Sequence, residues 1–411
     1  MSRVAKTIII IISLLIFTYV AVGYVHGQTS DNKTYRALTV YSEVLEHIQR
    51  DYVEDPDMHA VTSGALHGLL DSLDPQSSYM SPLEYTDYKQ KMETKAPAEL
   101  GLTVSKRFGY IIIISVLPDS PAAKAGLHSG DLLETIAGFT TTQMSISQAQ
   151  TLLTGQPGAS VKLEVIHRGK SETETVELNY GRVPAPRLLD AHLEADIGYL
   201  KVPAFGIGMT KQIRDALAQF QHAGVRSLVL DLRNCSSGEM AEAVSTAQLF
   251  LTSGTIASER GQTVSTETFS ADPSKVVWRQ PVDVLISGGT AGPAEIVAAA
   301  IGENHRGDTI GESATFGEAS AQRVIPLDDG AAIILTVANY FTPAGKPIPP
   351  DGVTPSIEVH STSDFTEPAA GQVVSPDDPV VKRAIEALEN PAQKKVAAAT
   401  RARVRFVVCP A

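Results

Sequence analysis

A stretch in the second half of the chain carries the pattern of a reactive helix start. Residues 284–322 indicate an apolar strand, a turn of small residues, a helix, a further strand and a glycine-rich turn. Gly292 falls at the N-cap of the predicted helix, with Pro293 at the first helical position and Glu295 in the first turn. Because a helix N-terminus is electropositive, the pattern indicates a place where a nucleophile or an oxyanion would be stabilised.

The same stretch resembles the core of the tail-specific, carboxyl-terminal processing serine peptidases. The run AGPAEIVAAA is similar to the family's ASASEI motif with its following alanines, and TFGEASAQ is similar to TFGKGxxQ. The resemblance places the family's nucleophilic serine at Gly292, its lysine base at Glu318 and its lysine-supporting glutamine at Gln322. An acidic residue that follows the helix in some members falls on Glu303. Gln322 is retained, whereas the two residues that carry the family's reaction are replaced.

Neither replacement can do the chemistry of its counterpart. Glycine has no side chain with which to attack a carbonyl, and a carboxylate does not act as a buried neutral amine. The chain also has Ser313 and Ala314 where the family commonly has one residue before its TFG motif. This insertion would displace the base position even if a lysine stood there. The sequence therefore predicts a degenerate catalytic site, that of a pseudopeptidase.

The loop that supplies an oxyanion-hole N–H in the family is altered as well. DLRNCSSGEM resembles the family's DLRNNPGG loop, with Ser237 and Gly238 at the oxyanion positions, so one glycine of two is retained. The alternative hypothesis is an active serine-type endopeptidase that uses a rearranged site. The turn serines Ser236 and Ser237 have no lysine or histidine adjacent in sequence, and a histidine after a helix, such as His305, more often complements the helix dipole. Cys235 as a surrogate nucleophile would need a lowered pKa, which no sequence feature indicates.

Residues 97–182 resemble a PDZ domain. The stretch SPAAKAGLHSGD is similar to the motif of peptidase-associated PDZ domains, and Ser145 with Gln148 predicts a capping box for the following helix. In such a domain a peptide tail adds as a strand, and backbone N–H groups of a loop that glycine keeps open receive its carboxylate. The alternative is that these apolar side chains only fill the core of the module. The resemblance assigns peptide binding to Leu100, Gly101, Leu102, Ile146, Ala149 and Leu152.

Composition and the N-terminus limit the partners. The formal net charge of −12 argues against nucleic acid as a partner, because nucleic acid rewards clustered Lys and Arg. Arg3 and Lys6 precede an uncharged apolar run at residues 8–25, the pattern of a secretory signal or a signal anchor. Two cysteines make neither a disulfide framework nor a metal site, so we expect no metal and no cofactor. We expect a cell-envelope location, either periplasmic or otherwise extracytoplasmic, with the N-terminus in or across the membrane.

The predicted fold is a multidomain mixture of α+β and α/β parts. It comprises a signal peptide or anchor at residues 1–27, a helical N-terminal arm at 34–95, a β-barrel-like PDZ module at 97–182, an α/β peptidase core of βαβ units at 187–360, and a linker with a C-terminal helix at 361–411. The predicted function is binding of the unstructured C-terminal tails of envelope proteins, without cleavage. A homo-oligomer is compatible with the sequence, and a purely structural envelope protein is the third hypothesis.

Overall fold

The computed structural model describes residues 17–18, 32–93, 98–194, 196–360, 374 and 377–389. The chain separates into two compact units, residues 1–66 and 67–411, and all the site residues discussed below belong to the second. Most of the predicted signal or anchor, and residues 361–373 of the predicted linker, lie outside the described residues. None of the described helices is both long enough and apolar enough to cross a membrane.

The N-terminal arm is helical, as predicted, and comprises three helices. These are α1 (Asn32–Asp51), α2 (Met58–Asp71) and α3 (Pro82–Glu93). Helix α3 begins with a capping box, because Ser81 N donates to Glu84 Oε2 at 2.7 Å and Glu84 N donates to Ser81 Oγ at 3.4 Å. Strand β1 (Ser78–Met80), which lies between α2 and α3, was not indicated by the sequence pattern and pairs with a strand of the core.

The predicted PDZ module is built on an antiparallel sheet. Its strands are β2 (Ala98–Glu99), β3 (Leu102–Arg107), β4 (Tyr110–Val116), β5 (Leu132–Ile136), β6 (Phe139–Thr140), β7 (Thr154–Gly155), β8 (Ser160–Ile166) and β9 (Thr173–Asn179). The main sheet has the order β3-β4-β5-β8-β9, so β3 is an edge strand, and β2 pairs with β7. The helices are α4 (Pro121–Lys124) and α5 (Ile146–Leu152), and α5 has the predicted capping box of Ser145 and Gln148.

The core contains the predicted βαβ units and, in addition, a second sheet. The strands of the core, which belong to two sheets, are β10 (Leu189–Glu194), β11 (Ile197–Lys201), β12 (Ser227–Asp231), β13 (Thr255–Arg260), β14 (Glu267–Ser270), β15 (Val282–Ile286), β16 (Thr309–Gly311), β17 (Ser320–Pro326), β18 (Ala332–Phe341) and β19 (Ile357–Glu358). The first sheet has the order β10-β11-β12-β15-β16-β19 and is parallel from β11 onward. The second is antiparallel, with the order β1-β18-β13-β14 and with β17 on β18.

Four helices of the core region pack on these sheets. They are α6 (Met209–His222), α7 (Met240–Gln248), α8 (Pro293–Glu303) and α9 (Pro379–Glu389). Helix α8 contacts β15 of the first sheet and β13 of the second, and its residues from Pro293 to Ile301 are all buried. A run of small alanines suits this position, because both faces of the helix must approach a sheet closely. Helix α9 covers the other face of the parallel sheet, where Val381 and Ala384 join Val229 and Leu285.

Candidate functional site

Gly292 lies at the head of α8, directly after the turn that leaves the buried strand β15. It is the N-cap, and Pro293 follows at the first helical position, as predicted. Its φ of +55° and ψ of −117° form a conformation that side-chain-bearing residues rarely adopt and that suits the strained strand-to-helix turn of a nucleophile elbow. A Cβ at Gly292 would lie 3.7 Å from the Ser236 carbonyl oxygen and 3.9 Å from Met240 Cε. The turn has room for a side chain, but glycine supplies none.

The buried carboxylate of Glu295 joins the start of α8 to the turn that contains Glu318. Glu295 Oε2 accepts from Gly292 N at 2.9 Å and from Glu318 N at 2.8 Å, so these two nitrogens lie within about 6 Å of each other. Glu295 Oε1 accepts from Gly317 N at 2.7 Å and from the Thr315 hydroxyl. Burial raises the pKa of Glu295, and these hydrogen bonds oppose the rise. The sequence identified Glu295 only as a first-turn residue, because its second role depends on tertiary structure.

The Glu318 side chain occupies the position that the resemblance assigns to the lysine base. Its Oε1 accepts from Gln76 Nε2 at 2.8 Å. Burial raises the pKa of Glu318 to about 7, the nearby Glu295 adds to the rise, and the Ser105 hydroxyl, the Gln76 amide and Arg107 oppose it. A carboxyl group that receives an amide N–H therefore stands where the family has an amine.

Gln76 reaches Glu318 because Asp74 shapes the turn between α2 and β1. Asp74 Oδ1 accepts from Gln76 N at 2.9 Å and from the Thr336 hydroxyl of β18 at 2.9 Å. Asp74 Oδ2 accepts from the Ser77 hydroxyl at 2.8 Å. The turn is thereby fixed to the core, which brings a residue 242 positions away in sequence against Glu318.

Two predicted site residues, Gln322 and Glu303, lie apart from this cluster. The Gln322 side chain is exposed and donates to Ser320 Oγ at 2.8 Å, and within the described part of the chain it makes no hydrogen bond to Glu318. Beside Gln322 the pairing of β17 with β18 shifts register, because Ala321 pairs with Ala338 and Gln322 with Thr336, which leaves Val337 of β18 as the extra residue. Glu303 is the last residue of α8, about 15 Å from the helix start at 1.5 Å per residue, and it accepts from Ala344 N at 2.8 Å. Neither side chain takes part in the arrangement around Gly292.

The loop after β12 holds the predicted oxyanion residues beside Gly292. The Ser237 carbonyl accepts from Phe205 N at 2.8 Å, and Glu239 N donates to the Phe205 carbonyl at 2.8 Å. Gly238 has φ +117°, and a Cβ there would lie 2.2 Å from the Phe205 carbonyl carbon, so this glycine is required by close backbone contact. Among the described residues, the Gly238 N–H donates to no protein group. One backbone donor thus stays free at the predicted oxyanion position.

The described residues around Gly292 offer no replacement nucleophile with a base. The Ser236 hydroxyl is buried against the Ser115 hydroxyl, and Ser287 Oγ accepts from Gly289 N at 3.2 Å. Cys235 is fully buried in the core, and burial raises the pKa of its thiol well above its ordinary value. His305 lies two residues beyond the last residue of α8, at the end of the helix opposite Gly292. None of these groups meets the geometric requirement of an activated nucleophile.

The predicted tail-binding loop of the PDZ module presents unpaired backbone donors. The carbonyls of Leu100 and Gly101 accept from Ala122 at 3.0 Å and from Leu117 at 2.8 Å. Across the ranges that the structure describes, the N–H groups of Leu100 and Gly101 have no hydrogen-bond partner. Gly101 has φ +76°, and a Cβ there would lie 2.3 Å from Ser120 Cβ. The loop therefore has two adjacent free donors, and Gly101 is needed for its positive φ and for the close packing against Ser120.

The other predicted peptide-binding residues form the interior of the module beside this loop. Leu100 and Ala149 are fully buried and Ile146 is 3% exposed, so these side chains belong to the module's core. Leu102 and Leu152 are half-buried and pack against that core. Strand β3 is an edge strand that contacts α5, the arrangement into which an added strand would fit.

The PDZ module packs directly on the cluster around Gly292 and Glu318. Arg107 Nη2 donates to the Phe316 carbonyl, and its guanidinium lies 4.0 Å from the centroid of the Phe316 ring. Ile114, Ala291 and Phe316 form a small buried apolar cluster across the boundary. The turn before Gly292 is also tight here, since a Cβ at Gly289 would lie 2.9 Å from the Ile114 carbonyl oxygen. The site is thus formed by the core, the turn before β1 and the PDZ module.

A buried ionic network connects the residues just before the predicted oxyanion loop to the start of α9. Arg233 Nη2 lies 2.6 Å from Asp231 Oδ2, and Arg233 Nη1 lies 2.7 Å from Asp378 Oδ2. Asp378 also accepts from Val380 N at 2.9 Å at the start of α9. Burial alone would raise the pKa of Asp231, but Arg233 and Lys201 lower it to about 2. The network joins α9 to the chain just before the loop, and sequence spacing gives no signal for it.

Comparisons with known proteins agree with this architecture. Residues 196–359 match the model of peptidase family S41, and residues 112–166 match that of the PDZ domain. A carboxy-terminal-processing protease of Bartonella bacilliformis is 31% identical over 335 residues, which cover 80% of this chain and 76% of that protein. A carboxy-terminal processing protease of Bacillus subtilis is 29% identical over 338 residues, which cover 82% and 71%.

Solved structures include a similar protein. A photosystem II D1 C-terminal processing protease has a TM-score of 0.66 and 25% identity, with 78% of this chain and 92% of that chain covered. No group of three or more His, Cys, Asp or Glu side chains that could hold a metal ion occurs among the residues that the structure describes.

Proposed function

Because the chain belongs to the carboxy-terminal-processing proteases of peptidase family S41, we propose that it binds unstructured protein C-termini without cleaving them. The observation that carries the proposal is the pairing of Gly292 with Glu318. Glu295 holds their backbone nitrogens within about 6 Å, so the two positions that resemble the family's dyad lie close together, and neither holds a group that can attack a carbonyl or serve as an amine base.

Tail binding is supported by the geometry of the PDZ loop. The free N–H groups of Leu100 and Gly101 lie next to an edge strand, which is the combination that β-addition of a peptide with a terminal carboxylate uses. The names of the relatives describe proteins that process C-termini, which agrees with a protein tail as the ligand. We include in the proposal an extracytoplasmic location with the N-terminal run in the membrane, because the uncharged residues 8–25 follow Arg3 and Lys6.

Binding is tested by titrating the whole protein with a labelled unstructured peptide that ends in a free carboxylate. The matched control is the same peptide with an amidated C-terminus, which removes the charge that the backbone donors would receive. We expect the free carboxylate to bind about 5- to 150-fold more tightly, as the loss of a charge-assisted contact of about 1–3 kcal/mol implies. Equal affinities for the two peptides would contradict the carboxylate mode.

Repair of the site tests the catalytic half of the proposal. Nucleophile and base act as a unit, so Gly292→Ser and Glu318→Lys must be made together to recover hydrolysis. The double variant should be weak or inactive, because the extra residue at Ser313 and Ala314 displaces the lysine, and a displacement of about 1 Å can reduce the rate about 10²-fold. Deleting Ala314 as well should raise cleavage of an unfolded protein. Should the unmodified protein cleave as fast as the repaired one, the catalytic centre would lie elsewhere.

A further inference from the structure

Glu318 stands at a junction of three parts of the chain. Its backbone N–H is held by Glu295 of the core at 2.8 Å. Its carboxyl accepts from Gln76, which precedes β1 in the N-terminal region, at 2.8 Å. The Ser105 hydroxyl, on β3 of the PDZ module, is fully buried and faces the same carboxyl without a hydrogen bond of good geometry. One titratable side chain thus contacts the core, the turn before β1 and the edge strand of the PDZ module.

Burial and Glu295 disfavour a second carboxylate at this junction, and they outweigh Gln76, Ser105 and Arg107, which favour it. Glu295 faces Glu318 from α8 and is itself fully buried. Arg107 is the cation that faces it from β3, and it is also engaged with the Phe316 carbonyl and ring. Asp74, on the same turn as Gln76, is held by backbone and hydroxyl donors of its own. Ionised Glu318 would therefore stand beside another carboxylate, and the Arg107 guanidinium that favours its ionisation also contacts Phe316.

We propose that Glu318 is a protonation-dependent latch. Its neutral carboxyl holds the turn before β1 and the PDZ module against the core, and its carboxylate loosens that contact. This proposal rests on the geometry of the junction and does not require tail binding. An effect of the latch on tail binding would rest on the proposed function, since β3 is the strand along which a tail would add.

The direction of the pH effect follows from the raised pKa. Burial raises the pKa of Glu318 from the ordinary 4.5 to about 7 while the junction is closed. A group with a raised pKa stabilises the closed junction below its ordinary pKa, and that stabilisation is lost as the pH rises through about 7. Opening between pH 5.5 and pH 8 should increase on the order of 10-fold by this linkage.

Hydrogen–deuterium exchange of the whole protein measures the opening directly. Exchange of amides in the β3–β4 hairpin is compared at pH 5.5 and pH 8, corrected for intrinsic exchange, with amides of the buried strand β12 as the internal reference for global unfolding. We expect the hairpin of the unmodified protein to open on the order of 10-fold more at pH 8 and β12 to stay unchanged. Glu318→Gln, which cannot ionise, should remove the pH dependence.

Matched variants keep the test falsifiable. Glu303→Gln removes a carboxylate at the far end of α8 and should leave the pH response unchanged. Ser105→Ala removes a hydroxyl that lowers the pKa of Glu318, so the transition should move to higher pH. A pH response that persists in Glu318→Gln, or that is lacking in the unmodified protein, would overturn the latch. Because no peptide is present, a failure of tail binding would leave this result intact and would count against the proposed function alone.

Discussion

The Glu295 carboxylate should be one of the most sensitive side chains of the core. It accepts four hydrogen bonds on its two oxygens: from Gly292 N and Glu318 N on Oε2, and from Gly317 N and the Thr315 hydroxyl on Oε1. In Glu295→Gln the new amide NH₂ must face two of these donors. If the NH₂ took the Oε2 position, both donors there would lose their acceptor, because they are backbone N–H groups that cannot turn. At the Oε1 position the hydroxyl can turn to accept, but Gly317 N is left unpaired.

The amide orientation that leaves only Gly317 N unpaired determines the expected loss of stability. One buried unpaired N–H costs about 1–3 kcal/mol, and the three remaining hydrogen bonds lose their charged acceptor. We therefore expect Glu295→Gln to reduce the free energy of unfolding of the core by about 2–4 kcal/mol. Glu303→Gln is the matched control, because that side chain holds one N–H at the exposed end of the same helix, and its change should stay within about 0.5 kcal/mol.

Urea unfolding followed by tryptophan fluorescence measures this difference. Trp278 is the one tryptophan of the sequence, and it is fully buried in the main core cluster, so its emission reports unfolding of the core. The midpoint of Glu295→Gln should fall well below that of the unmodified protein while the control overlays it. If Glu295→Gln were as stable as Glu303→Gln, the carboxylate would not be the link between the α8 start and the Glu318 turn.

Three further outcomes are expected. Asp378→Ala should lower the stability of the core by about 3 kcal/mol in the same urea assay, because the buried Arg233 guanidinium loses one of its carboxylates; a change below about 0.5 kcal/mol would contradict that pairing. Gly101→Val should weaken binding of a free-carboxylate peptide by about 1–3 kcal/mol in a peptide titration. Because a Cβ at Gly101 would also lie 2.3 Å from Ser120 Cβ, the control is the amidated peptide, and an equal loss with that peptide would show that distortion of the loop is responsible and not a lost carboxylate contact. Cell fractionation should place the protein with membranes or in the exported compartment, and a cytosolic protein with an intact N-terminus would refute the predicted location.

Local features of the site could be predicted from the sequence because their partners are close along the chain. The N-cap at Gly292 with its N1 proline, and the capping boxes of α3 and α5, depend on residues no more than three positions apart. The βαβ pattern of the core was predictable for a similar reason, since buried strands and amphipathic helices alternate regularly.

Contacts that close the site could not be predicted in this way. Gln76 and Glu318 are 242 positions apart, and no periodicity relates a turn after α2 to a turn before β17. Arg233 and Asp378 meet because α9 returns to the far face of the parallel sheet, which the sequence of the helix does not specify. The pairing of β1 with β18 in the second sheet was missed because β1 is only three residues long and lies in the helical arm.

The resemblance placed Gln322 and Glu303 in the site, but the structure places both side chains elsewhere. Their positions can be described from the geometry of β17 and α8. Alignment by motif assumes that spacing along the chain is preserved in space. The Gln322 amide donates to Ser320 beside the register shift between β17 and β18, and an 11-residue helix separates Glu303 from Gly292. Gln76 instead supplies the amide beside Glu318, which the motif comparison did not indicate.

Turnover is the measurement on which the proposed function depends most. The whole protein is incubated with an unfolded protein that carries a fluorophore at its C-terminus, and release of labelled fragments is followed next to a family member with an intact dyad. We expect the substrate to bind and no fragment to appear above the uncatalysed background. Cleavage by the unmodified protein that is lost in a Gly292→Ala and Glu318→Ala double variant would show that these positions still carry catalysis and would contradict the pseudopeptidase assignment.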